Sequence, residues 1–398
     1  MPLPKEAQGI VGILQEWNRG GDPLPGRERI CRWLEGTEGD RKTEPLMDLL
    51  GWIGLTPELR PLGLELQEEL HRLTLVELAR IAGRRIVFPL MINQYARLAG
   101  ATIRETIIGG SRKQFEVISQ GVSRLKPDIA MCNFGGIPLS SMGCKVSLPD
   151  DSPPMVVSHP IKSWEDLERL RPLDPAQDGR WPDFIHTTRL FAQGFTLLRC
   201  ALTVGPFSLA GMLMGVEDIT KKTFKDPALV KRVLDYATEI IIADANAHVK
   251  AGANLVMVGD PTSSLLSAKA YQEFVAPCVR RVVEGVRGAL LVLHVCGNTG
   301  HLIGQMAATG VQGLSLDAYV DLAAVASQVP PTVAVMGNLS PLKALFTGTP
   351  EEVRRDTREM LDHMREVPNY IVMSGCEIPP AASGENVEAF IETVKAYR

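Results

Sequence analysis

From about residue 85 onward, short β-rich runs alternate with longer helical patterns. Eight runs follow one another, at 86–93, 127–133, 195–203, 254–260, 289–296, 311–317, 332–338 and 370–376. Strand, helix and strand in succession indicate parallel pairing, because a parallel pair needs a crossover connection. Eight such units, ending with a helix at about 385–397, predict an α/β fold of the (β/α)₈ TIM barrel type rather than an open doubly wound sheet.

The chain divides into two predicted regions. Residues 1–84 carry polar turns around mostly helical stretches and predict a helical N-terminal extension, while residues 85–398 form the barrel catalytic domain. Within the barrel, Asp226-Pro227 begins a helical pattern that runs to Lys250, and Thr349-Pro350-Glu351-Glu352 reads as a capping box. The proline-rich segment 134–194 between the second and third strands predicts an insertion or lid.

Composition restricts the class of protein. The hydrophobic fraction of 45%, the charged fraction of 22% and the net charge of −4 are those of an ordinary globular protein and give no basic surface for nucleic acid. No apolar run is long enough to span a bilayer, and the first residues lack the apolar core of a signal peptide. The sequence therefore predicts a cytoplasmic protein without a nucleic-acid or membrane partner. Its 7 cysteines are too few and too dispersed for a disulfide scaffold.

The fifth run ends in His294-Val295-Cys296, followed by Gly297. Side chains alternate along a strand, so His294 and Cys296 share one face. Imidazole and thiolate are both good zinc ligands. A buried histidine or cysteine more often serves core packing, which is the role expected for Cys132, Cys200 and Cys278.

The carboxyl ends of all barrel strands meet at one face, where the eighth run ends in Gly375-Cys376-Glu377. Cys376 is therefore the natural third ligand beside His294 and Cys296. One histidine and two thiolates leave a fourth position on a tetrahedral Zn²⁺, as a catalytic site requires. Glu377 is expected to support the site or its loop.

Three further strand ends carry polar residues that are candidate catalytic groups: Asp260, Asp317 and Asn338. They hold substrate or orient a ligand in one interpretation, and only cap the helix that follows in the other. Arg199 lies inside the third run, where its charge either binds an anion or forms a structural ion pair. The sequence alone leaves both pairs of alternatives open.

Several longer motifs resemble one family. HVCGNTG (294–300), GDPTSSLLSAKAYQEFVAPCVRRVV (259–283), GNLSP (337–341) and SGCEIPPAASGENV (374–387) resemble the uroporphyrinogen decarboxylase superfamily, and within it the cobalamin-dependent methyltransferase branch. RERICRWLEGTEGDR (27–41) resembles the opening of that family, although its distance from the first strand indicates an enlarged N-terminal segment. The resemblance implies the same zinc ligands, His294, Cys296 and Cys376.

The resemblance also implies a reaction. Members of this branch move a methyl group between a corrinoid (methylcobalamin) carried by a partner protein and a small acceptor, which is coenzyme M, another thiol or tetrahydrofolate. A partner corrinoid protein is expected because the chain has no DxHxxG stretch of a cobalamin-binding module. Two alternatives are a porphyrinogen decarboxylase, disfavoured because segment 89–100 holds one arginine, Arg97, and a non-catalytic corrinoid- or metal-binding accessory protein.

Overall fold

The computed structural model describes residues 47–48, 73–134, 137–195 and 198–397. The strands are β1 Val87–Phe88, β2 Ile129–Met131, β3 Lys145–Ser147, β4 Met155–Ser158, β5 Leu198–Val204, β6 Leu255–Gly259, β7 Leu290–Val295, β8 Gly313–Leu316, β9 Ala334–Leu339 and β10 Tyr370–Ser374. The α-helices are α1 Leu75–Ile81, α2 Gln94–Leu98, α3 Ile103–Ile108, α4 Gly110–Leu125, α5 Trp164–Glu168, α6 Trp181–Gly194, α7 Pro206–Met214, α8 Val216–Lys225, α9 Pro227–Lys250, α10 Ala268–Ala270, α11 Ala276–Gly285, α12 Ile303–Ala307, α13 Leu322–Ala326, α14 Pro350–His363 and α15 Gly384–Ala396.

Eight strands form one parallel sheet in the order β1-β10-β9-β8-β7-β6-β5-β2. The two end strands of this order meet where the Asp128 amide donates to Val87 O at 3.2 Å. The sheet is therefore a nearly closed barrel, and the predicted (β/α)₈ fold is confirmed. The remaining strands, β3 and β4, form a separate antiparallel hairpin.

Each predicted run overlaps a barrel strand, and the runs exceed the strands most at the first two, whereas β5 and β9 each end one residue beyond their runs. Pro89 follows β1 and has no amide hydrogen to continue a ladder, and the next amide, of Leu90, donates to the Ser374 hydroxyl at 3.1 Å. After β2, the Asn133 side chain takes over from the backbone, because it accepts from Leu202 N and donates to Leu202 O, both at 2.9 Å. Side-chain hydrogen bonds thus replace strand pairing at this part of the rim.

The helix signals in the sequence are confirmed. Helix α9 begins at Pro227 with the Asp226 carboxylate accepting from Leu229 N at 3.1 Å. Helix α14 begins at Pro350 with the predicted capping box between Thr349 and Glu352. The last helix, α15, spans Gly384–Ala396, one residue from the predicted bounds.

The elements inserted between β2 and β5 occupy less of the chain than the predicted segment 134–194. A 3₁₀ turn at Leu139–Met142, the β3–β4 hairpin and the short helix α5 are the inserted elements. Helix α6, which was included in the insertion, instead packs between α4 and α9 in the outer ring. Trp181 begins α6 fully buried, which is the amphipathic pattern of a barrel helix rather than of a lid.

Most of the predicted N-terminal extension, residues 1–84, lies outside the described residues. Its described part consists of residues 47–48 and of 73–84, which include α1. Helix α1 begins with a capping box between Thr74 and Glu77 and buries apolar side chains against the barrel. The division at residue 84 stays a prediction. Within the described ranges, no helix combines the length and apolar character needed to cross a membrane.

The junction between β1 and β2 depends on a buried carboxylate. Asp128 Oδ2 accepts from Val87 N at 2.8 Å, so the side chain continues the pairing of the two short strands. Arg84 then donates to both carboxylate oxygens, at 2.7 and 2.8 Å. The Arg84 side chain is 0% exposed and that of Asp128 is 2% exposed. Arg84 also pairs with Asp48 at 2.6 Å, and Lys395 Nζ lies 4.0 Å from Asp128, so protein groups rather than water compensate both buried charges.

We expect Arg84→Ala to lower the free energy of unfolding by about 3–5 kcal/mol, because it removes the two close hydrogen bonds to the buried Asp128 carboxylate and leaves it only Lys395 Nζ, 4.0 Å away, as a cation. Chemical denaturation followed by circular dichroism measures the change. Arg97→Ala is the matched control, since the Arg97–Asp151 pair is more than half exposed on both sides and contributes about 1 kcal/mol or less. Equal stability of the two variants would contradict this account of barrel closure.

Candidate metal centre

Three predicted ligands meet at the carboxyl ends of β7 and β10. His294 lies near the end of β7, Cys296 directly follows it, and Cys376 follows β10 by two residues. His294 Nε2 is 3.0 Å from Cys296 Sγ, which is 2.6 Å from Cys376 Sγ. The ligand atoms of all three lie within 4.8 Å of one another. The convergence expected from strand alternation and barrel closure is therefore present.

Two glycines allow these side chains to approach one another. Gly297 has φ of +88°, a left-handed conformation that lets the chain turn away immediately after Cys296. A Cβ on Gly375 would lie 2.4 Å from Ala318 N, so only glycine lets the loop before Cys376 pack against the loop after β8.

Ser315 fixes the orientation of the histidine. In the parallel register of β7 and β8, Ser315 is the partner of His294. The Ser315 hydroxyl lies 2.9 Å from His294 Nδ1, and Ser315 is fully buried. With Nδ1 engaged on this side, Nε2 points to the two cysteines. A partner on the second ring nitrogen is typical of histidines that bind metals.

A hydrogen bond joins the two cysteine sulfurs. The hydrogen bond with Cys296 lowers the pKa of Cys376, against the effect of burial, and His294 contributes in the same direction. The same hydrogen bond, together with burial, raises the pKa of Cys296. One thiolate and one thiol are thus favoured, and the thiolate is the form that binds a metal.

These features fit a Zn²⁺ ion. One imidazole nitrogen and two sulfur atoms are characteristic zinc donors, and three protein ligands leave one position for substrate. Among the described residues, this is the only cluster of three or more His, Cys, Asp or Glu side chains with such geometry. His294, Cys296 and Cys376 would hold the ion.

Asp317 and Asn338 lie behind this cluster. Asp317 Oδ2 accepts from Gly297 N at 2.9 Å and so holds the turn after Cys296. Asn338 Nδ2 donates to Asp317 O at 2.8 Å and to Val320 O at 2.6 Å, which fixes the loop after β8. These contacts favour a positioning role for both residues, whose part in catalysis stays a prediction.

Asp260 makes a different contact. It is fully buried and accepts from Ser208 N at 2.6 Å and from Phe207 N at 3.3 Å, so it caps α7. Burial raises the pKa of Asp260 to about 6, although these hydrogen bonds act in the opposite direction. Of the two interpretations open from the sequence, the geometry favours the cap. The capped helix follows β5, however, and not β6, the strand that ends directly before Asp260.

Arg199 is remote from this end of the barrel. It lies at the beginning of β5, is buried, and donates from Nε to Gly252 O at 2.7 Å and from Nη1 to Phe195 O at 3.2 Å. The side chain thus binds backbone carbonyls. Because backbone carbonyls are among the partners of Arg199, a structural role is favoured over anion binding.

A cavity of about 670 Å³ opens beside the metal ligands. His294, Cys296, Cys376 and Glu377 form one end of it, and the inserted hairpin supplies Val146 and Leu148 to its wall. Asp260, Asp317 and Asn338 are absent from the described residues that line it. Asn93 Nδ2 donates to Glu377 Oε1 at 2.7 Å, so the acidic side chain is held in place.

Sequence reasoning missed Ser315 and most of the cavity wall. Ser315 is the one polar side chain of β8 in an otherwise apolar strand, and that contrast was a usable signal. The apolar wall gave no signal, because residues such as Phe184 and Leu202 cannot be distinguished from core residues in a sequence.

The fold and this cluster define an α/β-barrel protein with a candidate catalytic metal centre. The family model described as uroporphyrinogen decarboxylase (URO-D) matches residues 84–397. The chain therefore belongs to the uroporphyrinogen decarboxylase family, and the resemblance found from its motifs is confirmed.

Relatives in this family carry two kinds of name. Methylcobamide:CoM methyltransferase MtbA of Methanosarcina acetivorans is 29% identical over 263 residues, which are 64% of this chain and 76% of the relative. Uroporphyrinogen decarboxylase of Pseudoalteromonas atlantica is 28% identical over 252 residues, 60% of this chain and 70% of the relative. A solved structure, a methyltransferase from Methanosarcina mazei, superimposes with a TM-score of 0.73 at 23% identity, over 81% of this chain and 98% of that chain, and shows the same fold.

Replacement of the third ligand tests the metal centre. We expect Cys376→Ser to weaken zinc binding at least tenfold, because a serine oxygen is a poor substitute for thiolate. Zinc per chain after dialysis against a chelator is the measurement. Cys278→Ser is the control, since Cys278 lies in α11, is buried, and contacts Phe274 O rather than this cluster. Full zinc retention by Cys376→Ser would overturn the three-ligand site.

Removal of the Ser315 hydroxyl tests the orientation of the histidine. We expect Ser315→Ala to lower zinc affinity by about 10–100-fold with little loss of stability, because Nδ1 of His294 loses its partner. Titration against a zinc-responsive chelator measures the affinity. Ser263→Ala is a matched control, because Ser263 is also buried but donates to Asp260 O at 2.7 Å. An unchanged affinity in Ser315→Ala would show that His294 needs no such support.

Proposed function

We propose that the protein is a zinc-dependent methyltransferase that moves a methyl group between a methylated corrinoid, carried by a partner protein, and a small thiol. The observation that carries this proposal is the convergence of His294, Cys296 and Cys376 at one end of the cavity. The names of relatives such as MtbA, a methylcobamide:CoM methyltransferase, indicate the type of reaction, which is methyl transfer that involves a corrinoid.

A free thiol is mostly protonated at neutral pH and is a poor nucleophile. When bound by His294, Cys296 and Cys376, zinc would hold the sulfur of the acceptor as a thiolate at the open position. In the transfer, the acceptor sulfur forms a bond to the methyl carbon and the carbon–cobalt bond breaks. The electron pair of that bond stays on the corrinoid, whose cobalt passes from the +3 to the +1 state, and the thiol proton goes to solvent.

The remaining residues of the site position this reaction. Ser315 fixes the ring of His294, and Asp317 holds the turn after Cys296 through Gly297 N. The apolar wall excludes water from the acceptor, which strengthens the interactions at the sulfur. No residue of the chain needs to form a covalent intermediate.

Other functions are less well supported. Uroporphyrinogen has several carboxylates, whereas among the described residues of the cavity wall only Arg180 carries a permanent positive charge. That wall disfavours a decarboxylase, although some relatives carry that name. The deep cavity beside the ligands favours an enzyme over an accessory protein. A thiol is favoured over tetrahydrofolate because a sulfur can take the open position directly.

Methyl transfer from free methylcobalamin tests the proposal. We expect the zinc-loaded protein to release cob(I)alamin under anaerobic conditions when a thiol is present, and removal of zinc with a chelator to abolish the activity. Anaerobic absorbance spectroscopy follows the cobalt state. His294→Ala should behave like the chelated protein, whereas His301→Ala should not, because His301 contacts Leu266 O outside the cluster. The proposal is wrong if the chelated and zinc-loaded proteins react equally.

Asp317 is tested as a positioning residue. We expect Asp317→Asn to lower the rate of transfer by about 10–100-fold while the thermal midpoint changes little, because the turn after Cys296 loses its carboxylate acceptor. The pH profile of the rate, measured in parallel, should shift with the altered charge beside the thiols. Asp321→Asn is the control, since Asp321 lies in the same loop region but only caps α13. Identical kinetics in both variants would leave Asp317 a purely structural residue.

A further inference from the structure

The wall of the cavity is apolar over most of its area. It is built from the ends of β1 and β5, the segment after β2, the inserted hairpin and helix α6. Its side chains include Ile92, Phe134, Ile137, Leu148, Phe184 and Leu202. A volume of about 670 Å³ lies in the range of roughly 300–1,000 Å³ that holds drug-sized ligands. A short thiol would fill only a small part of this space.

The charged groups of the wall do not suit an anion. Arg180, the only cation with a permanent charge among the described lining residues, already donates from Nη1 to Ile107 O at 3.2 Å and to Ile108 O at 3.3 Å. Its side chain is 43% exposed and lies 3.9 Å from the Asp183 carboxylate. Arg180 is therefore engaged at the rim, with its charge already partly compensated.

The other end of the cavity is acidic. Glu377 lies beside Cys376, and its oxygen Oε1 accepts from Asn93 N and Nδ2 at 3.2 and 2.7 Å. An acceptor whose sulfur lies at the cysteines therefore has an acidic side chain and thiolates next to it. A sulfonate or carboxylate on the same acceptor would be buried against apolar groups, and the only permanent cation among the described lining residues is Arg180, which is already engaged at the rim. Burial of such an anion is costly.

The uncharged polar groups of the wall are few. Asn133 is occupied by the backbone of Leu202. Thr203 is buried, and its hydroxyl has no hydrogen-bond partner in the described structure although it lines the cavity. Among the described lining residues, Ser140 and Ser208 add two further hydroxyls, and that of Ser208 accepts from Thr262 N at 3.0 Å. These few hydroxyls suit an uncharged polar group on an otherwise apolar ligand.

From size, lining and charge together, we propose that the methyl acceptor is a thiol with a bulky, uncharged, apolar body rather than a short anionic thiol. This inference rests on the proposed methyl transfer and names its acceptor class. It departs from the acceptor in the names of the relatives, coenzyme M, which is 2-mercaptoethanesulfonate. The sulfur would lie at His294, Cys296 and Cys376, and the body would lie under the inserted hairpin. As for any thiol, the sulfur–carbon bond forms, the carbon–cobalt bond breaks with its electron pair left on cobalt, and the thiol proton goes to solvent.

Three thiols with the same two-carbon chain separate charge from size. 2-Phenylethanethiol has an apolar body, 2-mercaptoethanesulfonate a charged one, and 2-mercaptoethanol is small and neutral. With methylcobalamin as donor and the zinc-loaded full chain, we expect kcat/KM to be at least tenfold higher for 2-phenylethanethiol than for the sulfonate, with 2-mercaptoethanol between them. An equal or higher value for the sulfonate would overturn the inference and leave the methyltransferase proposal intact.

One substitution should change this preference. Leu148 lines the cavity and is half-buried on the inserted segment, so Leu148→Arg adds a cation to the wall. We expect it to raise the ratio of kcat/KM for the sulfonate to that for 2-phenylethanethiol at least tenfold. Val157→Arg is the matched control, because Val157 lies on the same hairpin, is 62% exposed and does not line the cavity. The same ratio in both variants would contradict the assignment of this wall to the acceptor.

A binding measurement separates the two proposals. 2-Phenylethyl methyl sulfide is the product expected from the apolar thiol, and its binding can be measured by calorimetry without any donor. Saturable binding that Leu148→Arg weakens at least fivefold would support the acceptor class even if no methyl transfer occurs, in which case the proposed function fails alone. Absence of binding, together with absence of transfer to all three thiols, would overturn both.

Discussion

Closure of the parallel sheet is the constraint on which the site depends. Seven neighbouring strand pairs are joined by backbone ladders, whereas β1 and β2 are so short that their junction needs the Asp128 carboxylate as well as one backbone hydrogen bond. Because the strands are parallel and the sheet closes, their carboxyl ends lie on one ring. His294 and Cys376, 82 residues apart by their numbers, become neighbours only through that ring.

The site is built in layers around this ring. The three ligands form the inner layer, and Ser315 and Asp317, both from the region of β8, form the next. Asn338 then holds the backbone of the loop that carries Asp317. The region of β8, a strand that supplies no ligand, therefore positions the two ligands at the end of β7. Such support from neighbouring strands explains why polar residues persist in strand ends that are otherwise apolar.

Much of this arrangement could be predicted from the sequence. Eight alternating runs define the fold, and the alternation of side chains pairs His294 with Cys296, because both signals are local or periodic. Roles that depend on register between strands were not accessible: Ser315 faces His294 only once β7 and β8 are aligned. The same reason explains Asp260, which caps a helix that follows another strand. A sequence indicates which strand a residue lies on. Which residue of a neighbouring strand it contacts is determined only when the barrel has folded and the register between the strands is set.

The inserted segment and the ligand-bearing strands are far apart along the chain. The hairpin β3–β4 contributes Val146 and Leu148 to the cavity wall, whereas His294, Cys296 and Cys376 come from β7 and β10. In the proposed reaction, the wall that would contact the acceptor and the residues that would hold zinc are thus encoded in separate stretches of the gene. A substitution in the hairpin can therefore reshape the cavity wall while all three metal-ligand side chains stay unchanged.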